Sequence, residues 1–145
     1  MIKVKKIINN NLWKCRVDDE IILDYQDRNR RRIKLDSKKK ISFLLDEKET
    51  VFLNNGSLLI LSNEYKVKVI AKLENVLKVE AKDKSNLSSL AWHIGNRHIP
   101  AEIHKDYIII QRDEIISRML KLLGAKVVKK KLSFTPEKGA YHKQI

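Results

Sequence analysis

Apolar positions in the first half of the chain come in short runs separated by polar turn material, the rhythm of β-strands. Runs at residues 12–16, 20–25, 32–36, 41–45, 57–61 and 66–73 are each predicted as strands. Residues 66–71 alternate charge and apolar character, as a strand buried on one face should. Asn55-Gly56 between two such runs reads as a hairpin turn. This half is therefore expected to be all-β, a small sandwich or barrel-like domain.

The second half keeps a different period. A strand is predicted over residues 76–81, then a helix capped by Ser85, with Leu87, Leu90, Ala91 and Ile94 on one face. Gly95 is expected to take the positive φ that stops this helix. Strands follow at 99–104 and 107–110. Asp113 then caps a second helix whose stripe is Ile115, Ile116, Met119, Leu120, Leu122 and Leu123; Gly124 ends it, and a last strand covers 125–132. The order is βαββαβ, the ferredoxin-like arrangement. The fold class expected is thus α+β: an all-β domain over residues 1–73, a ferredoxin-like domain over 74–133, and a flexible tail over 134–145, where Pro, Gly, Lys and Gln dominate.

Composition narrows the class. Hydrophobic residues make up 43% of 145, enough for a packed core, and no run approaches the roughly 20 apolar residues of a membrane span. The first seven residues alternate charge with apolar character and lack a secretory apolar block, so the expected address is cytoplasmic. One cysteine, Cys15, excludes an internal disulfide; its apolar surroundings predict a buried thiol. Net charge is +13, shared almost equally between the halves, with dense runs at Arg28–Arg32, Lys38–Lys40 and Lys129–Lys131. Aromatics are only 6%, few for stacking bases, so nucleic acid is not the expected partner. The run Arg28–Arg32 reads as a charged strand edge that blocks edge-to-edge pairing, with an acidic docking partner as the sharper alternative.

Four histidines carry the candidate chemistry: His93, His98, His104 and His142. None pairs with another at helical spacing, and no Cys/His cluster has zinc-site spacing. No Ser-His-Asp order, phosphate loop or nucleophile elbow is present, so an enzyme is not expected. His98 falls on a short corner between the helix and Pro100, His93 one turn earlier on the helix, His104 at a strand end beside Lys105-Asp106, and His142 in the tail.

The stretch Trp92-His93-Ile94-Gly95-Asn96-Arg97-His98-Ile99-Pro100 resembles the aromatic-His-x-Gly-Asn-Arg-His-x-Pro hallmark of the UreE family of urease accessory proteins, which are nickel metallochaperones. Three further blocks match in order: Asp27 to Arg32; Asp113 to Ile116 with Met119 to Ala125; and Phe134 to Tyr141, similar to the family's F-x-P-E-x-G-A-Y tail. The resemblance implies a ferredoxin-like second domain and a first domain like a chaperone-type peptide-binding domain. It implies a homodimer in which the residue matching His98 lies on the two-fold axis, so that symmetry doubles the ligand count. His142 would add a ligand from the tail. The cargo implied is Ni(II), and imidazole also suits Zn(II) and Cu(II). The ion would pass to a urease accessory GTPase and the urease apoprotein. Some relatives carry histidines where this chain has Arg112 and Glu114, which removes an auxiliary histidine site there. His93 reads as a residue packing or capping the helix end, Arg97 as a structural residue of the turn or an interface ion-pair partner, and His104 as a solvated hairpin residue. The alternative to a metal carrier is a basic RNA-binding or protein-docking module without metal.

Overall fold

The computed structural model describes residues 1–82 and 85–140. It is mostly strands with two helices, and divides into one unit over Met1–Lys72 and another over Leu73–Ala140.

The first unit has β1 (Val4–Ile8), β2 (Asp19–Leu23), β3 (Asn29–Asp36), β4 (Ser42–Phe52), β5 (Leu58–Leu61) and β6 (Lys66–Ala71). One sheet runs β1-β5-β6-β2, with β2 and β6 parallel and the other pairs antiparallel. β3 and β4 form an antiparallel ribbon, and an isolated parallel bridge joins Leu44 of β4 to Lys3, the residue just before β1. Phe43, Leu45, Leu59, Leu61, Val67 and Val69 are sealed from solvent at the core between them.

Three expectations for this unit are corrected. The run 12–16 is not a strand, because the preceding asparagines close a loop with their side chains. Asn9 Nδ2 donates to the Phe52 carbonyl at 2.7 Å, and its Oδ1 accepts from the Asn54 amide at 2.9 Å. Trp13 Nε1 donates to the Gly56 carbonyl at 2.9 Å. Cys15 in this loop is consequently exposed, not buried. The strand Val4–Ile8 escapes the period-2 signal because its register shifts between Val4 and Lys6. Gly56 does turn the chain at φ +85°, but the turn joins β4 to β5, which lie in different sheets, so it closes no hairpin.

Asp19 locks the start of β2. Burial favours its neutral acid, but the Ser37 side chain, the amides of Glu20 (2.7 Å) and Lys39 (3.2 Å) and the Tyr65 hydroxyl (3.2 Å) all donate to the carboxylate and outweigh burial. Its pKa is held below the usual carboxylate range. A depressed folded pKa contributes stability that is complete above the unfolded value of about 4 and lost as pH falls through the folded one. Asp19→Asn is expected to destabilise the protein by ~1–3 kcal/mol at pH 7 and to flatten the loss of stability below pH 4. Urea titrations at a series of pH values measure both.

The second unit has β7 (Glu74–Ala81), α1 (Leu87–Asn96), β8 (Ala101–Ile103), β9 (Ile108–Gln111), α2 (Glu114–Leu122) and β10 (Ala125–Leu132). The sheet order is β10-β7-β9-β8, antiparallel throughout. Leu90 and Ile94 of α1 and Ile116 and Leu120 of α2, each pair one helical turn apart, pack on Leu77, Val79, Ile108 and Ile110. Asn86, not Ser85, caps α1: its Oδ1 accepts from the Ser89 amide at 2.7 Å, while Ser85 bonds the carbonyls of Lys82 and Gly124. Asp113 caps α2 as expected, accepting from the amides of Ile115 and Ile116. The predicted stripe of α2 is too wide, since Ile115 and Leu122 are 72% and 88% exposed.

Residues 134–137 are not the start of a loose tail. Phe134 is fully buried and Pro136 is buried with it. The Thr135 amide donates to Glu102 Oε1 and the Glu137 amide to the Ala101 carbonyl, both at 2.7 Å. The polar composition conceals one large aromatic anchor and two hydrogen bonds onto the edge strand β8.

Candidate metal centre

The corner carrying His98 is built by the end of α1. The helix ends at Asn96, with Arg97 as its C-cap. The His98 amide donates to the Gly95 carbonyl at 3.0 Å, and the Ile99 amide reaches back to the Ile94 carbonyl at 3.4 Å. These two bonds form the Schellman closure of a helix, and Ile99 packs against the core cluster that holds Ile94. Such a closure needs one residue in the left-handed region. That residue is His98, at φ +57°, and not Gly95, which lies inside the helix without a positive φ. The expectation for Gly95 is thus wrong by three residues.

The consequence is energetic. The left-handed conformation disfavours a residue with a Cβ by roughly 1–2 kcal/mol, and glycine usually occupies this position. Gly95 is misplaced in the opposite sense. A Cβ there would meet nothing within 4 Å, so no clash inside the chain demands glycine, yet glycine in a helix is about 1 kcal/mol worse than alanine. Two neighbouring positions therefore carry residues that local stability does not favour. Strain of this kind gathers where a side chain serves another purpose.

His98 is exposed, and its backbone is held by the closure and by Pro100 beyond it. Arg97, expected at the turn or in an ion pair, donates from Nε to Met119 Sδ of α2 at 2.8 Å, which ties the corner to the second helix. Trp92, one and a half turns earlier, is 63% exposed, and its ring meets His93 edge-on at 5.0 Å.

The remaining histidines separate by environment. His93 is half-buried in the last turn of α1. His104 is not simply solvated: its Nε2 lies 2.5 Å from Glu102 Oε2, and its ring stacks on Tyr107 at 4.2 Å, with Lys78 Nζ 4.7 Å from the Tyr107 centroid. That cluster of Glu102, His104, Tyr107 and Lys78 went unseen in the sequence, where the signal was the two-residue spacing of Glu102 and His104 on one strand. Since Glu102 also receives the Thr135 amide, His104 braces the chain after β10 instead of offering a free ligand. His142 lies outside the described residues. Among the described residues no group of three or more His, Cys, Asp and Glu side chains could hold a metal ion. Glu114 is 3.6 Å from Lys129, and Arg112 donates to the Lys130 carbonyl, which accounts for both as fold contacts.

The second unit is an α+β layer that presents an exposed imidazole where α1 ends. Comparison with known proteins gives its family. Residues 74–145 match the family model of the UreE urease accessory protein, C-terminal domain. The UreE urease accessory protein of a Bradyrhizobium species is 38% identical over 141 residues, 97% of this chain and 67% of the relative. That of a Chelativorans species is 45% identical over 126 residues, 87% of this chain and 80% of the relative, and that of Beijerinckia indica is 31% identical over 97% and 82%. The chain belongs to the UreE family of urease accessory proteins, a chaperone family and not one of enzymes. Among the described residues, no helix is long and apolar enough to cross a membrane.

Proposed function

We infer that the protein is a nickel-binding metallochaperone of urease maturation, working in the cytoplasm. Its second unit is read as the ferredoxin-like domain through which two copies pair, holding one Ni(II) between the two His98 side chains. His142 supplies a further ligand from the tail, and the ion passes to the urease accessory GTPase and the urease apoprotein. The observation that carries this reading is His98 itself: an exposed imidazole kept on a rigid corner in a backbone conformation that disfavours it.

Two further features support pairing at this surface. Gly95 has open space over its Cα, which lets a second backbone approach closely. Trp92 exposes a large apolar ring on the same helix, the residue type that most often anchors an interface. One imidazole per chain is a weak ligand set, and a two-fold axis converts it into a shared one without any further residue. A sparse set also suits a carrier, which must release its ion.

Calorimetry with Ni(II), alongside mass measurement, tests this. The expected stoichiometry is one tightly bound ion per two chains. His98→Ala should abolish that binding, and His142→Ala should weaken it. An unchanged titration for His98→Ala would remove the proposed centre, and a monomer at every concentration would contradict the pairing.

A further inference from the structure

We propose that the outer stripe of α2 in the second unit is a docking site for an acidic amphipathic helix of another protein. This does not depend on the metal reading. Ile115, Met119 and Leu122 stand four and then three residues apart, which sets them along one side of the helix over about 10 Å. Ile115 and Leu122 are largely exposed, and Met119 is half-buried between them. A single exposed aliphatic side chain carries no meaning, but two on one helical line with a methionine between them make an adaptable apolar surface.

A row of charge flanks that stripe. Glu114 opens it and is engaged by Lys129 at 3.6 Å. Arg118 and Lys121 follow, one turn apart and both exposed. Neither has a carboxylate within 4.0 Å among the described residues. Arg97 adds a further cation, donating from Nε to Met119 Sδ at 2.8 Å. Just past the end of α2, an open depression is lined by Lys82, Lys121, Gly124, Ala125, Lys126 and Val127. Half of these residues are lysines and none is acidic, so the apolar stripe ends beside a cationic hollow.

These features specify the partner. The backbone of α2 is hydrogen-bonded within the helix and offers an added strand nothing to pair with, whereas its side-chain ridges suit the grooves of a second helix. Aliphatic side chains of that helix, spaced three and four apart, would cover Ile115, Met119 and Leu122. Carboxylates on its flank would meet Arg118 and Lys121, and those at its end would meet Lys82 and Lys126. The same cations oppose the competing occupants. A second copy of α2 packed antiparallel about a two-fold axis would centre between Ile115 and Leu122, which sets Arg118 beside its own copy and is repulsive. A nucleic acid would be drawn by the charge, but neither α2 nor the depression carries an aromatic ring for a base to stack on. A helix face that served solubility alone would need the cations and not the aliphatic residues.

The test uses the full protein and a fluorescein-labelled synthetic helix of three heptads, with leucine at the first and fourth positions of each, glutamate on the flanks and alanine elsewhere. Fluorescence anisotropy should show saturable binding that weakens as salt is raised. Leu122→Glu and Arg118→Glu should each weaken it at least tenfold, and Arg118→Glu should gain binding to the same peptide with lysine in place of glutamate. Leu12→Glu, the same change of charge at an exposed position of the first unit, should leave binding unaltered. All three positions are exposed, so denaturation midpoints should stay close to wild type. The proposal is overturned by absence of binding at millimolar peptide, or by binding that Leu12→Glu weakens as much as Leu122→Glu does. It is equally overturned if a single-stranded RNA oligonucleotide binds this face more tightly than the peptide. A mass measurement in which Leu122→Glu separates paired chains would overturn it too, since the stripe would then be buried between copies.

Discussion

Replacing His98 with glycine is expected to make the protein more stable and to leave it unable to bind the shared ion. The left-handed backbone of His98 is strained for any residue with a Cβ, and glycine removes that penalty while keeping both closing hydrogen bonds of α1. The expected gain is about 1 kcal/mol, reduced somewhat by glycine's greater freedom in the unfolded chain. His98→Ala keeps the strain and should change stability little, yet it loses the ion equally. Urea denaturation of the metal-free wild type and both variants, beside calorimetry with Ni(II), separates the two effects. If glycine stabilises and alanine does not, the histidine is retained against the interest of the fold. Should neither variant alter nickel binding, His98 serves some other end, and the strain must be explained without metal.

Phe134→Ala is expected to be among the most damaging single changes in the second unit, destabilising by about 3–5 kcal/mol. Its ring is fully buried, and truncating a buried phenylalanine loses both transfer free energy and packing. Against a total stability of ~5–15 kcal/mol, that is a large share. Leu122→Ala, at an 88% exposed position of α2, is the matched control and should fall within about 0.5 kcal/mol of wild type. Denaturation midpoints of the two variants decide the matter. A loose tail from residue 134 onward would make both neutral; a docked one separates them widely. The hydrogen bonds from Thr135 and Glu137 to β8 would then be lost along with the ring, which hydrogen exchange at those two amides reports.

Much of this fold was legible in the order of residues because its signals are local. The βαββαβ order of the second unit follows from hydrophobic periods, the Asp113 cap and the Gly124 stop, and each depends on neighbours within a turn or two. The motif around His98 also marked, from sequence alone, the corner at which α1 closes. What failed to show depended on distant partners. The run 12–16 is loop instead of strand because Asn9 just before it bonds Phe52 and Asn54, which are distant in the chain. Asn55-Gly56 turns the chain between two sheets, which no dipeptide can announce.

The candidate site divides the same way. Its chemistry, an imidazole beside a helix end and a proline, is a property of the chain's order. Tertiary packing alone decided that His98, and not Gly95, takes the left-handed residue of the closure. Ile94 has to face the core one turn after Leu90, and Ile99 must fold back onto it. Those two anchors leave a single position between them for the turn, and the histidine stands there.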